Sequence, residues 1–494
     1  MRAKCTPVLE DCPQWYGENM IASKKITFGT DGWRAVMARE FTFDNVALVA
    51  QSIADHVNGQ GKGSKGIVIG YDARFLSEQF AALVADILGA NNIPAYVVDR
   101  DTPTPVVAYT IKDLNLAGAV MLSASHNPPE YHGIKFIPDY LHPALPADTD
   151  PIVSRIAELQ ENPDLVKTGG PAPTKINPQP AYFAHVRKLI DFDAISNANL
   201  TICVDPLYAA GRGYLSTLLE EAGVKVHTIH NERNPLFGGS LPEPNATNLR
   251  ELGALVRSTG AQIGLSMDGD ADRFGMVDET GTYITSNDVL QLTAWHWAQR
   301  MGSGAIVRSV ATSGRIDAIA RQMGVEIIET PVGFKWVGAM MKQHDAIMGG
   351  EESGGLSVRG HIPEKDGIVA DLVLTEMVAK TGRTPGSILA ELREQLGTYI
   401  ATRIDLRVPE ASKVALMDRL RNAPPTEVAG RKVVSVNKAD GVKFLLDDNS
   451  WLLLRASGTE PLLRAYMEAT SEAGVAALKV AAHALAPDGV DVTH

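Results

Sequence analysis

One plan recurs three times in this chain and limits what it can become: a short apolar strand, a helix, a second strand, another helix, and a third strand that runs straight into a polar loop. It appears first as the strand Gly66–Gly70, a helical stretch near 75–90, the strand Ala95–Val98, a Pro-punctuated turn at Thr102–Pro105 with a short helix, and the strand Ala117–Leu122. It returns at Thr201–Val204, a helix after Gly213, Val224–Ile229, a helix over 247–258 and the apolar run Ile263–Met267. A third copy starts at Ile306 and passes through a helix near 315–323, Val325–Glu329, a helix over 334–343 and Ala346–Met348. Strands and helices alternating at this spacing predict mostly parallel, doubly wound sheets, whose ligands gather beyond the carboxyl ends of the strands. The loops at those ends are SASHNPP (123–129), DGDADR (268–273) and GGEESGG (349–355). Three comparable loops on three comparable units are placed to meet in one cleft.

The tail differs in kind. Strands at Val433–Val436, Val442–Leu446, Trp451–Arg455 and Leu463–Glu468, with helices near 410–422 and 473–485, predict a separate α+β unit. The expected fold class is α/β: three similar doubly wound domains with mixed, mostly parallel sheets plus a C-terminal α+β domain, around a central cleft. The expected divisions are an arm over 1–24 and domains over 25–190, 191–300, 301–400 and 401–494. A length of 494 residues agrees with about three or four domains.

A net charge of −12 argues against a nucleic-acid surface, so any anionic ligand has to be drawn in by locally placed Arg and Lys. No apolar run approaches the roughly 18 residues of a membrane helix. Cys5, Cys12 and Cys203 do not form a disulfide framework, and the N-terminus lacks the pattern of a secretory signal. A cytoplasmic location, as monomer or homodimer, is expected.

Asp268, Asp270 and Asp272 alternate in DGDADR, with only Gly269 and Ala271 between them. Three carboxylates so close repel one another by several kcal/mol at an intermediate dielectric, and a hard cation such as Mg²⁺ or Ca²⁺ removes that cost. The positions also match an EF-hand, with Glu279 at its twelfth place. Arg273, however, stands where that loop requires Gly, and the flanks read as strands. Arg273 beside the acids suggests that a second anion, such as a phosphate, approaches the metal.

Ser125 in SASHNPP sits at a strand end with prolines stiffening the exit, as an exposed nucleophile would. Adjacent side chains in an extended chain point to opposite faces, which argues against a Ser125–His126 hydrolase dyad. A phosphorylated serine, able to ligate the same metal, fits better. Lys135 is placed to return to this cleft as a charge stabiliser or proton acceptor. Glu351 and Ser353 in GGEESGG suit sugar hydroxyls, with Glu352 facing solvent. RASGTEPLLR gathers Arg455, Ser457, Gly458, Thr459 and Arg464 into a candidate phosphate clamp. The glycine-rich GQGKGSKG (59–66) lacks nucleotide-loop spacing and reads as a turn.

FGTDGWRA (28–35), SASHNP (123–128), DGDADR, GGEESGG and RASGTEPLLR, in this order, resemble the α-D-phosphohexomutase superfamily over nearly the whole chain from about residue 25. The resemblance implies a phosphoserine at Ser125, which with Asp268, Asp270 and Asp272 holds one Mg²⁺. It also implies Arg34, Lys135, His126 and Arg273 at the reacting phosphoryl group, and Glu351 and Ser353 on sugar hydroxyls. Arg455, Ser457, Gly458, Thr459 and Arg464 would hold the non-reacting phosphate. PVGFKWVG (331–338) and HIPEKDG (361–367) are similar to the phosphoglucomutase branch, and Gly355 stands where other branches more often carry His. That adds Lys335 as a proton carrier and Gly333, His361 and Lys365 near the sugar. Two departures are Ser123 for a common Thr and His132 where Asn commonly precedes Gly-Ile-Lys. The implied activity is reversible conversion of α-D-glucose 1-phosphate to glucose 6-phosphate through glucose 1,6-bisphosphate; the alternatives are a phosphomannomutase or dual-specificity mutase, then a phosphoglucosamine mutase or a catalytically silent sugar-phosphate binding protein.

Overall fold

The computed structural model describes residues 26–29, 31–457, 462–486 and 489–492. The 1–24 arm, Gly458 and Thr459 lie outside them. The first sheet has six strands in the order Trp33–Val36, Tyr131–Pro138, Gly118–Leu122, Ile67–Tyr71, Ala95–Val98, Thr174–Ile176. Its last four are mutually parallel. Every residue of Ile67–Tyr71 and Gly118–Leu122 is buried, so these strands read as continuous apolar runs rather than alternating ones. The second sheet orders Tyr283–Ile284, Phe274–Val277, Ile263–Met267, Thr201–Asp205, Lys225–Thr228, and the third orders Glu326–Thr330, Ala305–Ser309, Met348–Glu351, Gly355–Val358. In each, three parallel strands match the repeated plan.

The repeat has one more member than the sequence plan showed. In all three sheets the third strand turns back into an antiparallel neighbour: Gly118–Leu122 into Tyr131–Pro138, Ile263–Met267 into Phe274–Val277, and Met348–Glu351 into Gly355–Val358. The polar loops are the connections of these hairpins. In the third copy the loop is shorter than GGEESGG implied, because Gly349 and Gly350 belong to the strand. A Cβ on Gly349 would meet Met341 Sδ at 2.3 Å, and one on Gly350 would meet Leu290 Cδ2 at 2.3 Å. The glycines there serve close helix–strand packing, and only 352–354 is left as a turn.

The largest apolar cluster runs without interruption through the second and third sheets. The helix Gly367–Thr381, buried along its first twelve residues, lies within it. The first domain has its own core, as does the C-terminal domain. The latter is a seven-stranded antiparallel sheet, with Glu410–Asn422 and Glu472–Leu485 as its helices. It includes Ile400–Arg407, paired along its whole length with Leu462–Ala469. Among the described residues no helix is long and apolar enough to cross a membrane.

Candidate active site

Ser125 leaves its strand in a left-handed conformation, φ 52°, which a residue with a Cβ adopts only where its surroundings over-determine it. Here the determinant is Arg74, a fully buried arginine in the loop after Ile67–Tyr71. Its Nε donates to Asp72, and its two terminal nitrogens donate to the carbonyls of Ser125 (2.8 Å), Asn127 (2.6 Å), Pro128 (2.7 Å) and Tyr131 (2.9 Å). The Ser125 amide donates to Ser123 Oγ at 2.8 Å, so a hydroxyl is what position 123 supplies. The left-handed turn also corrects the expectation for His126: its Nδ1 lies 3.2 Å from Ser125 Oγ, since the two residues are not extended. Burial, then the charges of Arg273, Arg34 and Lys135, push the His126 imidazole well below its usual pKa and keep it neutral.

Ser125 Oγ donates to Asp268 Oδ2 at 2.6 Å, joining the first two loops across the domain boundary. The loops pass so closely that a Cβ on Gly269 would meet the Ser125 carbonyl oxygen at 2.2 Å. Asp268, Asp270 and Asp272 are each completely buried, with one oxygen of each inside a 4.8 Å spread. Burial, then the charges of Asp270 and Asp272, push the Asp268 carboxyl well above its ordinary value. Among the described residues, Asp270 Oδ1 and Asp272 Oδ1 are buried with no hydrogen-bond partner, and so is Arg273 Nε. Unsatisfied buried acceptors are costly, and three converging carboxylates fit a hard, oxygen-loving cation such as Mg²⁺. The unsatisfied guanidinium donor fits an anion next to it.

Lys135 Nζ lies 2.8 Å from Asp270, 2.9 Å from Asp272 and 2.9 Å from Asp31. Burial alone would depress its pKa, but these three carboxylates raise it well above the ordinary value, so it is fixed as an ammonium. Its role as proton acceptor is therefore disfavoured against charge stabilisation. His132 leaves this geometry intact: it is a neutral core residue, stacked on Phe41 and bonded to Ser77, with its pKa pushed down to about 3 by burial and Arg74. Arg34 donates to Asn127 Oδ1 at 2.9 Å, on the serine loop.

Sequence profiles of known families cover almost all of the described chain. Four units described as phosphoglucomutase/phosphomannomutase match in order: alpha/beta/alpha domain I at residues 25–163, domain II at 180–281, domain III at 285–396, and the C-terminal domain at 404–484. The chain belongs to the phosphoglucomutase/phosphomannomutase family. A phosphoglucomutase/phosphomannomutase from Thermococcus kodakarensis is 30% identical, over 90% of this chain and 95% of the relative. A protein provisionally named a phosphoglucosamine mutase, from Pyrococcus abyssi, is also 30% identical, over 94% and 98%. A crystal structure provisionally named a phosphomannomutase, from Thermus thermophilus, is 31% identical with a TM-score of 0.82, covering 94% of this chain and 99% of that one.

In this phosphoglucomutase/phosphomannomutase fold the third domain is stitched to the aspartate loop. Arg273 forms an antiparallel bridge with Gly355, and the Phe274 amide donates to the Gly354 carbonyl. Lys365, expected near the sugar, instead points at the acids: its Nζ is 3.4 Å from Asp272, 3.5 Å from Asp31 and 3.2 Å from Glu364. His361 also departs from expectation. Its side chain is fully buried, and its two ring nitrogens lie 2.9 Å from Asp366 and 2.9 Å from His185. Glu352 accepts from Ser309 Oγ at 2.7 Å rather than simply facing solvent. Ser353 is exposed, on a cavity of about 170 Å³ shared with Arg403 and Tyr466 of the fourth domain. Lys335 is half-buried, and burial, with Arg455 adding to it, lowers its pKa.

Glu351 is buried and accepts from the Gly333 amide at 2.6 Å. Burial and then Glu352 push its carboxyl up to about 7. A raised folded-state value means stability is greatest below the unfolded value, near 4.5, and is lost as pH rises toward 7. Glu351→Gln keeps the acceptor and removes the charge. It is expected to raise the melting temperature relative to the parent at pH 8 but not at pH 4.5, as thermal melts at both pH values will show.

In the fourth domain Arg455 and Arg464 face each other directly on adjacent strands. Like charges at that spacing repel; Asp440, 2.7 Å from Arg455 Nε, relieves part of this, and an anion between the two guanidiniums would add to that relief. Ser457 is buried at the end of the strand, while Gly458 and Thr459 fall outside the described residues. Four site residues were not singled out from the sequence: Asp31, Arg74, Thr104 and Glu364. Thr104 Oγ1 donates to Asp270 Oδ2 at 2.6 Å and its amide to the Asp270 carbonyl at 2.9 Å, which is the work of the Pro-punctuated turn.

Proposed function

We propose that this phosphoglucomutase/phosphomannomutase family member interconverts α-D-glucose 1-phosphate and glucose 6-phosphate with Ser125 as phosphoryl carrier. The observation that carries the reading is the 2.6 Å contact between Ser125 Oγ and Asp268 Oδ2, which sets a strained serine against a buried carboxylate triad from another domain. In the forward step the P–O bond to Ser125 breaks while a bond forms to the free sugar hydroxyl, whose proton must leave. Neutral His126 is suited to take it, with Lys335, the proton carrier expected from the sequence, as a second group for that role, whereas Lys135 and Arg34 stabilise charge on the transferring phosphoryl. The product is glucose 1,6-bisphosphate, and after it turns over the other phosphate returns to Ser125. Asp268, Asp270 and Asp272 would hold Mg²⁺, which when bound supplies positive charge to the phosphoryl oxygens. Glu351 and Ser353 would hold sugar hydroxyls, and the Arg455–Arg464 pair the idle phosphate.

Relatives at the same identity carry phosphoglucosamine names, and Gly355 bears on that alternative. A Cβ there would meet Lys365 Cδ at 2.8 Å and the Phe334 ring at 3.1 Å, so a histidine is not accommodated without moving Lys365. Coupled assays with glucose, mannose and glucosamine 1-phosphates should show the glucose ester turned over fastest; a large preference for glucosamine 1-phosphate would overturn the assignment. Chelation is expected to abolish turnover and Mg²⁺ to restore it. Asp270→Asn should weaken Mg²⁺ binding in calorimetry by more than the roughly 100-fold typical of losing an outer hydrogen-bond partner of a ligand.

A further inference from the structure

The hairpin turn between Arg431–Asn437 and Val442–Leu446 carries the fourth domain onto the third at three points. Asn437 Nδ2 donates to Glu329 at 2.6 Å, Lys443 Nζ donates to the Val310 carbonyl at 2.7 Å, and Asp440 Oδ2 accepts from the Val332 amide at 2.9 Å. Of these three, Asp440 also reaches Arg455. The same Oδ2 accepts from Arg455 Nε at 2.7 Å. The next amide after Val332 is that of Gly333, which donates to Glu351 Oε1 at 2.6 Å. Arg455 and Glu351 are thus joined through one carboxylate oxygen and two consecutive amides. The turn is held tightly in place: Gly441 has φ 85°, and a Cβ on it would meet the Leu454 carbonyl at 2.4 Å.

We infer that Asp440 is a positioning residue that fixes Arg455 at a set distance from the loop holding Glu351, so that phosphate and sugar are read at one spacing. The inference rests on the proposed function for what Arg455 and Glu351 bind. A guanidinium has five N–H donors, and one held at Nε keeps its terminal nitrogens in a fixed plane for a bidentate phosphate. A mutase that takes its substrate in two orientations needs that plane in register with the sugar loop in both. Two effects of Asp440 oppose each other. Its negative charge beside the phosphate site opposes anion binding. Its hold on Arg455 removes the cost of ordering that side chain and aligns two hydrogen bonds to the phosphate, and the inference is that this orientation outweighs the charge.

This sets the order of the variants. Asp440→Ala is expected to raise KM for the hexose 1-phosphate about tenfold, with kcat within threefold of the parent. Asp440→Asn, whose amide oxygen accepts from both donors, should return KM to within threefold. Asn437→Asp loses the donor to Glu329 but keeps the Oδ1 acceptor for the Ala439 amide, and Asn437→Ala loses both; neither touches Arg455, and each should change KM less than twofold. Equal defects in Asp440→Ala and Asn437→Ala would reduce the residue to docking. A defect in Asp440→Asn as large as in Asp440→Ala, or an unchanged KM in Asp440→Ala, would also overturn the inference. Calorimetry with inorganic phosphate separates this from the proposed function, because weaker phosphate binding in Asp440→Ala but not Asp440→Asn is expected even where no hexose phosphate is turned over. Equal phosphate affinity in all three proteins would overturn it independently of the substrate.

Discussion

Ser125→Ala is expected to lower kcat by on the order of 10⁴-fold or more, the scale on which covalent catalysis fails when its nucleophile is removed. The substitution deletes one hydroxyl from a buried position and leaves the backbone holding the loop as it was. The four carbonyls gripped by Arg74 are main-chain groups, and the 2.8 Å bond from the residue-125 amide to Ser123 Oγ does not involve the lost oxygen. Binding of glucose 6-phosphate should therefore persist in calorimetry while turnover disappears, even with bisphosphate supplied. Turnover at the parental rate with bisphosphate present would sink the phosphoserine mechanism. Arg74→Lys is the informative companion. One ammonium cannot reach four carbonyls and Asp72 together, so the left-handed turn at Ser125 should relax and activity fall although every reacting group is still present.

What the sequence disclosed and what it hid divide along a physical line. The aspartate loop was legible because its chemistry is local: three carboxylates within five residues state their need for a cation without any fold. The three sheets were legible through their central strands, such as Ile67–Tyr71, Gly118–Leu122 and Ile263–Met267, which are buried at every residue and largely apolar. Contacts made by residues far apart in the chain left no such mark. Asp31 lies in a quoted motif, yet its ion pairs are with Lys135, on the strand Tyr131–Pro138, and Lys365, in the loop before the helix Gly367–Thr381. Arg74 follows an apolar strand in Tyr71-Asp72-Ala73-Arg74, and a charged pair at the carboxyl end of a central strand was the available clue. The strand Ile400–Arg407 alternates Ile400, Thr402, Ile404 and Leu406 against charged and small residues, a period-2 signal that was present but passed over. His361 was placed by resemblance alone, and neighbouring domains turned it inward.

Lys135→Met tests the centre of the site through stability as well as rate. The substitution removes the one ammonium that touches Asp31, Asp270 and Asp272 together, all at 2.9 Å or less, where the lysine side chain is only 2% exposed. Breaking a buried ion pair from one side costs about 3–5 kcal/mol because it strands the opposite charge, and three carboxylates are stranded here. Lys365 offsets part of this, standing 3.4 Å from Asp272 and 3.5 Å from Asp31, but it does not reach Asp270. In the presence of a chelator the variant should therefore unfold at a markedly lower denaturant concentration than the parent. A divalent cation binding the native triad stabilises by mass action, and in the variant it also replaces lost positive charge. Mg²⁺ is thus expected to recover more stability in Lys135→Met than it adds to the parent, while activity stays low because the phosphoryl group has lost its ammonium. A Mg²⁺ increment equal in the two proteins would mean that the cation and Lys135 do not share the same carboxylates, and no increment in either would leave the triad as an acidic cluster neutralised by lysines alone.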